Sequence, residues 1–299
     1  MKSASRASLK RLAATALGLA ATAVPLVASA GPANVFYERT LMSAAGERCG
    51  LFTPAVASAL LASSRQARGA ALRGGASADS LRSVEERARA MAMSTPCNGP
   101  DLATAAGRVR TAFNGYSQIN AMDFPGAFGS WRADRRSLAK DGANWRLSQS
   151  VRANGGQVVF GMATDGTGAP ALTAIAASPN ALSAASARLI FRDPSKAAAP
   201  YIDTRRADLG GRTTPRFASQ IFLAMAKSGA PAGLTPAGAG AATSFRFPDA
   251  AARALEGLDP REAVTLELVF PTRDGERVET TLFEVGDFAA GRAFLAAQR

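Results

Sequence analysis

The sequence contains no histidine, and this absence removes several classes of catalytic site at once. A Ser-His-Asp or Cys-His triad, a histidine general base and the commonest transition-metal ligand all need an imidazole ring. The chain also shows no calcium-loop spacing of acidic residues, and no glycine pattern that follows a strand to cradle a phosphate. The sequence therefore predicts no metal and no cofactor.

Long apolar runs are scarce outside the first 30 residues. Charged residues, glycine or proline interrupt every other apolar segment well before the ~18 residues that suggest a membrane span. We therefore expect no membrane span once the leader described next is removed.

Residues 1–30 have the pattern of a secretory signal peptide. Four basic residues accompany an apolar stretch over 12–27, and small Ala28 and Ala30 suit the minus-three and minus-one positions of the peptidase. We predict cleavage after Ala30 and a periplasmic or secreted protein. An uncleaved membrane anchor is the alternative, although the apolar run contains Pro25 and is shorter than the ~20 residues of a span.

Cysteine occurs only twice, at Cys49 and Cys97. Disulfides persist in the oxidising compartments that exported proteins reach, so we predict that these two residues pair. A redox-active thiol is the alternative. It is disfavoured because the sequence has neither C-x-x-C spacing nor a histidine to lower a thiol pKa.

Basic residues outnumber acidic ones, and the formal net charge is +12. The excess is concentrated in residues 131–212, which hold 12 basic and 6 acidic residues. Such a segment could dock on an anionic envelope polymer, although an arginine-rich coding bias explains the same composition. No basic run interleaves with stacking aromatics, so we expect no nucleic-acid partner.

The apolar spacing predicts an N-terminal helical bundle over residues 31–122, tied by the disulfide. Four helices fit, beginning near Val35, at Pro54 after a Thr53 cap, at a cap on Asp79, and near Pro100. Residues 123–144 are rich in glycine, proline and aromatics, and we predict that they form a linker whose aromatics pack against a neighbouring domain.

The pattern of residues 145–299 predicts a mostly antiparallel sheet domain with packed helices. Short apolar runs alternate with turn signals such as Asp274-Gly275, and Asp249 and Asp287 are expected to cap two helices. Residues 217–227 fit either a strand or a short helix. The whole chain is therefore predicted to be α+β, an all-α bundle followed by a mostly antiparallel sheet domain.

Three segments of this second half carry a resemblance to a known family. They are Trp145-Arg-Leu-Ser, Ala254-Leu-Glu-Gly-Leu before a hairpin, and Val285-Gly-Asp-Phe288-Ala-Ala. With the turn-rich strands between them, residues 145–297 resemble the invasion-associated locus B family of exported proteobacterial proteins. That family carries paired cysteines in this region, whereas this sequence has none after Cys97. The resemblance implies export and carries no catalytic residues over.

Two hydrolytic chemistries are compatible with the residues present. Ser137-Leu-Ala-Lys140, Ser178-Pro-Asn180 and Lys227-Ser-Gly229 mimic the order of motifs in penicillin-binding proteins, but Asp141-Gly142 would stop the long helix that Ser137 should open. A pair of aspartates could act as acid and base on a glycan. The candidates lie near predicted turns, where aspartate is common for structural reasons: Asp165, Asp193, Asp203 and Asp208.

These observations favour an exported envelope protein that acts as a non-catalytic binding or accessory factor. A serine/lysine or carboxylate hydrolase acting on envelope polymer is the alternative function. The expected partner is an anionic envelope polymer or another envelope protein.

Overall fold

The computed structural model describes residues 31–136, 142–153, 155–164 and 169–297. The predicted signal peptide therefore lies outside the described residues. The described chain begins with four helices, as the apolar spacing predicts. They are α1 (Pro32–Cys49), α2 (Pro54–Arg73), α3 (Ala78–Ser94) and α4 (Pro100–Tyr116).

The local signals that begin these helices are mostly those expected from the sequence. Thr53 occupies the N-cap of α2, where its hydroxyl accepts a hydrogen bond from the Val56 amide at 3.5 Å. The expected cap of α3 on Asp79 is wrong by two residues. Ser77 is the N-cap, because its Oγ accepts from the Ser80 amide at 3.0 Å, and Asp79 falls in the first turn, where a carboxylate favours the helix dipole.

Cys49 and Cys97 form a disulfide, as predicted. The bond joins the last residue of α1 to the segment between α3 and α4. Beside it, Ala45, Ala92 and Leu102 pack into a small buried cluster, so covalent and apolar contacts hold the same end of the bundle.

Two antiparallel sheets follow the bundle. The first has the order β1-β2-β3-β4-β5-β9-β8, and the second has the order β11-β10-β6-β7. The strands are β1 (Ala121–Pro125), β2 (Ser130–Asp134), β3 (Asn144–Ala153), β4 (Gly156–Thr164), β5 (Ala171–Ala177), β6 (Ser186–Arg192), β7 (Ser219–Leu223), β8 (Ala226–Gly229), β9 (Thr243–Arg246), β10 (Ala263–Thr272) and β11 (Gly275–Glu284). Two further helices are α5 (Asp249–Glu256) and α6 (Phe288–Ala296). The architecture is α+β.

The segment 123–144 differs from the predicted linker. It contributes the end of β1, all of β2 and the first residue of β3, and so forms one side of the seven-stranded sheet. Phe124 and Trp131 face each other across the β1–β2 pair and are buried, in keeping with the expectation that the aromatics pack inward. Gly126 and Gly129 belong to the tight turn between β1 and β2, and Pro125 is the last residue of β1.

The carboxylate of Glu284 holds that turn. It accepts hydrogen bonds from the amides of Ala127, Phe128 and Gly129 at 2.7–2.9 Å, and Glu284 itself is fully buried. A carboxylate that accepts three amides satisfies donors that the turn would otherwise leave unpaired. The end of β11 is therefore bonded to the β1–β2 turn across the molecule.

The main core lies between the two sheets, and α6 adds to it beside β1, β2 and β3. Alternate residues of facing strands point inward, for example Leu147, Phe160 and Leu266, and Phe294 of α6 belongs to the same cluster. The ambiguous segment 217–227 forms strands β7 and β8, because its alternate residue Phe222 joins this core.

Asp287 lies at the N-cap position of α6 but makes no capping hydrogen bond there. Its carboxylate instead accepts two hydrogen bonds from the guanidinium of Arg73, both at 2.9 Å. This bidentate pair joins α2 of the bundle to α6 of the sheet region.

Candidate functional site

A polar cleft of about 600 Å³ lies on the outer face of the seven-stranded sheet, next to α5 and α6. Its charged lining residues come from three elements: Arg246 from β9, Asp249 and Arg253 from α5, and Arg292 from α6. We call it the arginine cleft. Its volume is within the ~300–1,000 Å³ typical of ligand-binding clefts.

Strand pairing sets the position of Arg246. It lies opposite Thr173 on β5 and opposite Ala226 on β8. The neighbouring residue Phe245 points into the core, so the alternation of a strand sends the Arg246 side chain to the outer face. Its side chain is exposed there.

Arg253 reaches the same cleft because α5 begins immediately after β9. Asp249 is the first residue of α5, and Arg253 follows four residues later on the same face of the helix. Ala251, Ala252 and Leu255 are buried, which anchors the opposite side of α5 and leaves Arg253 exposed at the cleft.

Two of the three guanidinium groups have no protein partner in the described part of the chain. Neither Arg246 nor Arg253 makes a side-chain hydrogen bond or ion pair there. Arg292 has a weak partner: its Nη1 lies 3.5 Å from Oε2 of Glu256, yet this buried nitrogen donates no hydrogen bond. Among the described residues, the cleft thus holds N–H donors that have no protein acceptor.

Hydroxyl groups supply the rest of the polar lining. Ser228 and Ser244 lie opposite each other on β8 and β9, and buried Thr173 lies on β5. Hydroxyls both donate and accept, so they suit sugar or phosphate oxygens. The lining is cationic, because it contains three guanidinium groups and one carboxylate, that of Asp249. Arginine binds carboxylate and phosphate through paired N–H groups.

The basic middle segment does not form such a site. Most of its described basic side chains have partners within the fold: Arg132 with Asp123, Arg188 with Glu267 and Glu276, Arg192 with Glu262, Lys196 with Asp193, Arg205 with Asp203, and Arg206 with Asp208. Surface charges that are already paired offer little to an external anion. Arginines without an acidic partner among the described residues converge further along the chain, in the arginine cleft.

The motifs of the serine/lysine hypothesis are only partly within the described residues. Ser137, Lys140 and Asp141 lie outside them. Lys227 donates from Nζ to the carbonyl of Leu182 at 3.1 Å, and Asn180 donates to Glu279 at 3.0 Å. Both polar side chains therefore serve the packing of local structure, and Ser228 lies in the arginine cleft.

The described aspartates of the glycosidase hypothesis form turns. Asp193 bonds the amide and hydroxyl of Ser195, and these hydrogen bonds lower the pKa of its carboxyl. Asp208 has a lowered pKa because of hydrogen bonds from Arg206 and the Gly211 amide. A general acid needs a raised pKa, so neither group suits the general-acid role in glycan hydrolysis. Asp165 lies outside the described residues.

Metal-ion clusters and membrane-spanning helices are both absent from the described residues. These residues contain no cluster of three or more acidic, cysteine or histidine side chains that could hold a metal ion. No helix among them combines the length and the apolar character needed to cross a bilayer.

Sequence reasoning missed the arginine cleft. Its three arginines are 46 positions apart at their extremes and belong to a strand and two helices, so no spacing connects them. The one available signal was the Arg253 position on α5, opposite the helix's apolar face. Even that signal cannot show that the three arginines converge on one cleft, because their convergence depends on the order of the strands in the sheet.

Comparisons of the chain with protein-family models, with curated proteins and with solved structures gave no match. The resemblance of residues 145–297 to the invasion-associated locus B family therefore stays a prediction.

Proposed function

We propose that the protein is an exported envelope protein that acts without catalysis, as a binding or accessory factor, and that its arginine cleft holds an anionic envelope polymer. The observation that carries the proposal is the convergence of Arg246, Arg253 and Arg292 on one cleft, two of them without a partner in the described part of the chain. The disulfide between Cys49 and Cys97 supports an oxidising compartment.

The chemistry of the cleft favours a polymer with carboxylates and hydroxyls. Guanidinium groups bind carboxylate or phosphate, and the serine and threonine hydroxyls beside them suit glycan oxygens. Peptidoglycan combines both kinds of group and is a component of the envelope to which export would deliver the protein.

Binding to purified peptidoglycan sacculi tests the proposal. Arg246→Gln/Arg253→Gln should reduce co-sedimentation at least tenfold, because each lost charge-assisted contact costs about 1.5–3 kcal/mol. Arg82→Gln/Arg89→Gln is the matched control, since it removes the same charge from exposed positions of α3. Binding of the wild type should also fall as salt is raised from low to high concentration.

Two results would contradict the proposal. One is equal sedimentation of the cleft variant and the α3 control. The other is sedimentation of the wild type that does not respond to salt, because contacts between exposed charges are screened.

A further inference from the structure

A second cavity, of about 450 Å³, lies where the helical bundle meets the first strand of the sheet. We call it the bundle cavity. It is lined mainly by apolar side chains from α1, α2, α4 and β1, namely Met42, Val56, Leu60, Val109, Phe113, Met122 and Phe124. No residue is shared with the arginine cleft, and the two are separate sites.

The packing of α4 explains why this cavity exists. The first half of the helix is held by buried Leu102 and Ala106, close to the disulfide. In the second half Val109 and Phe113 are only half-buried and Ala112 is exposed, although all three line the cavity. Apolar atoms without partners forfeit contact energy, and they are the surface that an apolar ligand would bury.

Charged residues surround the opening of the bundle cavity. Glu38 and Arg39 come from α1 and Arg108 from α4. Within the described residues none of the three makes an ion pair or a side-chain hydrogen bond. Two guanidiniums against one carboxylate make the opening cationic, and an arginine at such a position covers apolar surface with its stem while its head stays in water.

Tyr116 also lines the cavity, together with the polar residues Ser63 and Gln66. Its hydroxyl is enclosed and has no well-formed hydrogen bond among the described residues. The ring is fixed edge-on against Phe294 at 5.5 Å, with the Arg135 guanidinium 4.9 Å from its centroid. Burial raises the pKa of Tyr116 to about 12, with the Arg135 charge opposing, so the phenol stays protonated and can donate.

From these features we infer that the bundle cavity binds a single-chain carboxylate of the fatty-acid class, with the alkyl chain against α2, α4 and β1 and the carboxylate beside Arg39 and Arg108. The apolar lining requires a hydrocarbon body, and the cationic opening selects a negative head. The partly enclosed shape, with one side open, suits a ligand that has one end apolar and the other end hydrated.

Calorimetric titration tests this inference with three ligands. The protein is purified from the cells that naturally produce it. Dodecanoate carries both features, dodecyltrimethylammonium keeps the chain but reverses the head charge, and butanoate keeps the head but shortens the chain. We expect saturable one-to-one binding of dodecanoate. Each of the other two should bind at least tenfold more weakly.

Variants on α4 locate the binding. Ala112→Trp places an indole in the cavity from an exposed position and should weaken dodecanoate binding at least tenfold. Ala103→Trp is the matched control, on an exposed position of the same helix that does not line the cavity. Arg39→Gln/Arg108→Gln should weaken dodecanoate binding at least fivefold, whereas the α3 control Arg82→Gln/Arg89→Gln should leave it unchanged.

Four results would overturn the inference. The first two are equal binding of dodecanoate by the Ala112→Trp and Ala103→Trp variants, and equal binding of the anionic and cationic ligands by the wild type. The third is equal dodecanoate binding by the Arg39→Gln/Arg108→Gln and Arg82→Gln/Arg89→Gln variants. The fourth is capture of phosphatidylglycerol vesicles by the wild type that Ala112→Trp abolishes. The last would assign the cavity to a membrane lipid. Arg246→Gln/Arg253→Gln should leave dodecanoate binding intact, so failure here and failure of the proposed function are distinguishable.

Discussion

Individual charged residues in this protein differ mainly in whether the fold supplies their partner. Arg192 and Glu262 are both buried and form two hydrogen bonds at 2.7 and 2.8 Å, and Glu262 also accepts the amide of Asp259. Such pairs hold structure, because removing one partner leaves a buried charge alone. Arg246 and Arg253 have the same side chain, but no partner within the described residues.

Asp287 gives a prediction at the residue scale. Burial raises the pKa of its carboxyl above the ordinary 3.8, Arg73 opposes this, and nearby Glu284 adds to it. Between the ordinary and raised values the folded state binds more protons than the unfolded state, so this group's contribution to stability falls as pH rises. Asp287→Asn removes that titration.

We therefore expect the unfolding free energy of the wild type, minus that of Asp287→Asn, to decrease from about pH 3 to about pH 7. Urea denaturation at a series of pH values measures this difference. Asp101→Asn, at an exposed position in the first turn of α4, is the control. A difference that increases with pH would show that the Arg73 pair outweighs burial.

At the scale of elements, the contribution of the disulfide to the stability of the protein can be measured. Cys49 and Cys97 are 48 positions apart. On the chain-entropy model a loop of this length contributes up to about 4 kcal/mol. Cys49→Ser/Cys97→Ser should lower the free energy of unfolding by up to that amount, measured by far-ultraviolet circular dichroism in urea. An unchanged urea midpoint would mean that the disulfide removes little conformational entropy from the unfolded chain.

The helices and hairpins were predictable because their signals are local. Thr53-Pro54 begins α2. The turn between β10 and β11 lies one residue earlier than Asp274-Gly275: Arg273 and Asp274 form it, and Gly275, at a φ of +132°, begins β11. Each signal acts within four residues of the chain. The α+β class could be predicted because these local signals, taken in chain order, give helices first and hairpins afterwards.

The strands of segment 123–144 could not be predicted in the same way. Gly126 and Gly129 resemble linker residues, yet each is needed for close packing: a Cβ at Gly126 would lie 2.3 Å from a Glu284 oxygen, and one at Gly129 would lie 2.8 Å from the Gln149 amide carbon. Both neighbours are distant in sequence. The arginine cleft was hidden for the same reason, because the order of β5, β9 and β8 is set by tertiary pairing.

At the scale of the whole molecule, several arginines join the bundle to the sheets. Arg65 of α2 donates to the Ala289 carbonyl of α6 at 3.0 Å. Arg135 donates to the carbonyls of Tyr116 at 3.1 Å and Phe294 at 2.8 Å, and so links the end of α4 to α6. With the Arg73–Asp287 pair, these contacts couple the two parts of the chain.

This coupling predicts a single cooperative unfolding transition. Trp131 and Trp145 both lie in the seven-stranded sheet, so tryptophan fluorescence reports on the sheet, whereas circular dichroism at 222 nm is dominated by the helices. We expect the two signals to change at the same urea concentration. Two separated midpoints would contradict the coupling. Arg73→Ala is the variant expected to separate them, with exposed Arg82→Ala as its control.

The position of α6 has a consequence for biogenesis. This helix packs between α2 and the β1–β3 side of the seven-stranded sheet, yet it follows every described strand. Until it has been synthesised, the core lacks Phe288 and Phe294, and α2 lacks the helix through which it contacts the sheet. Such an order delays completion of the core until the last part of the described chain has been made.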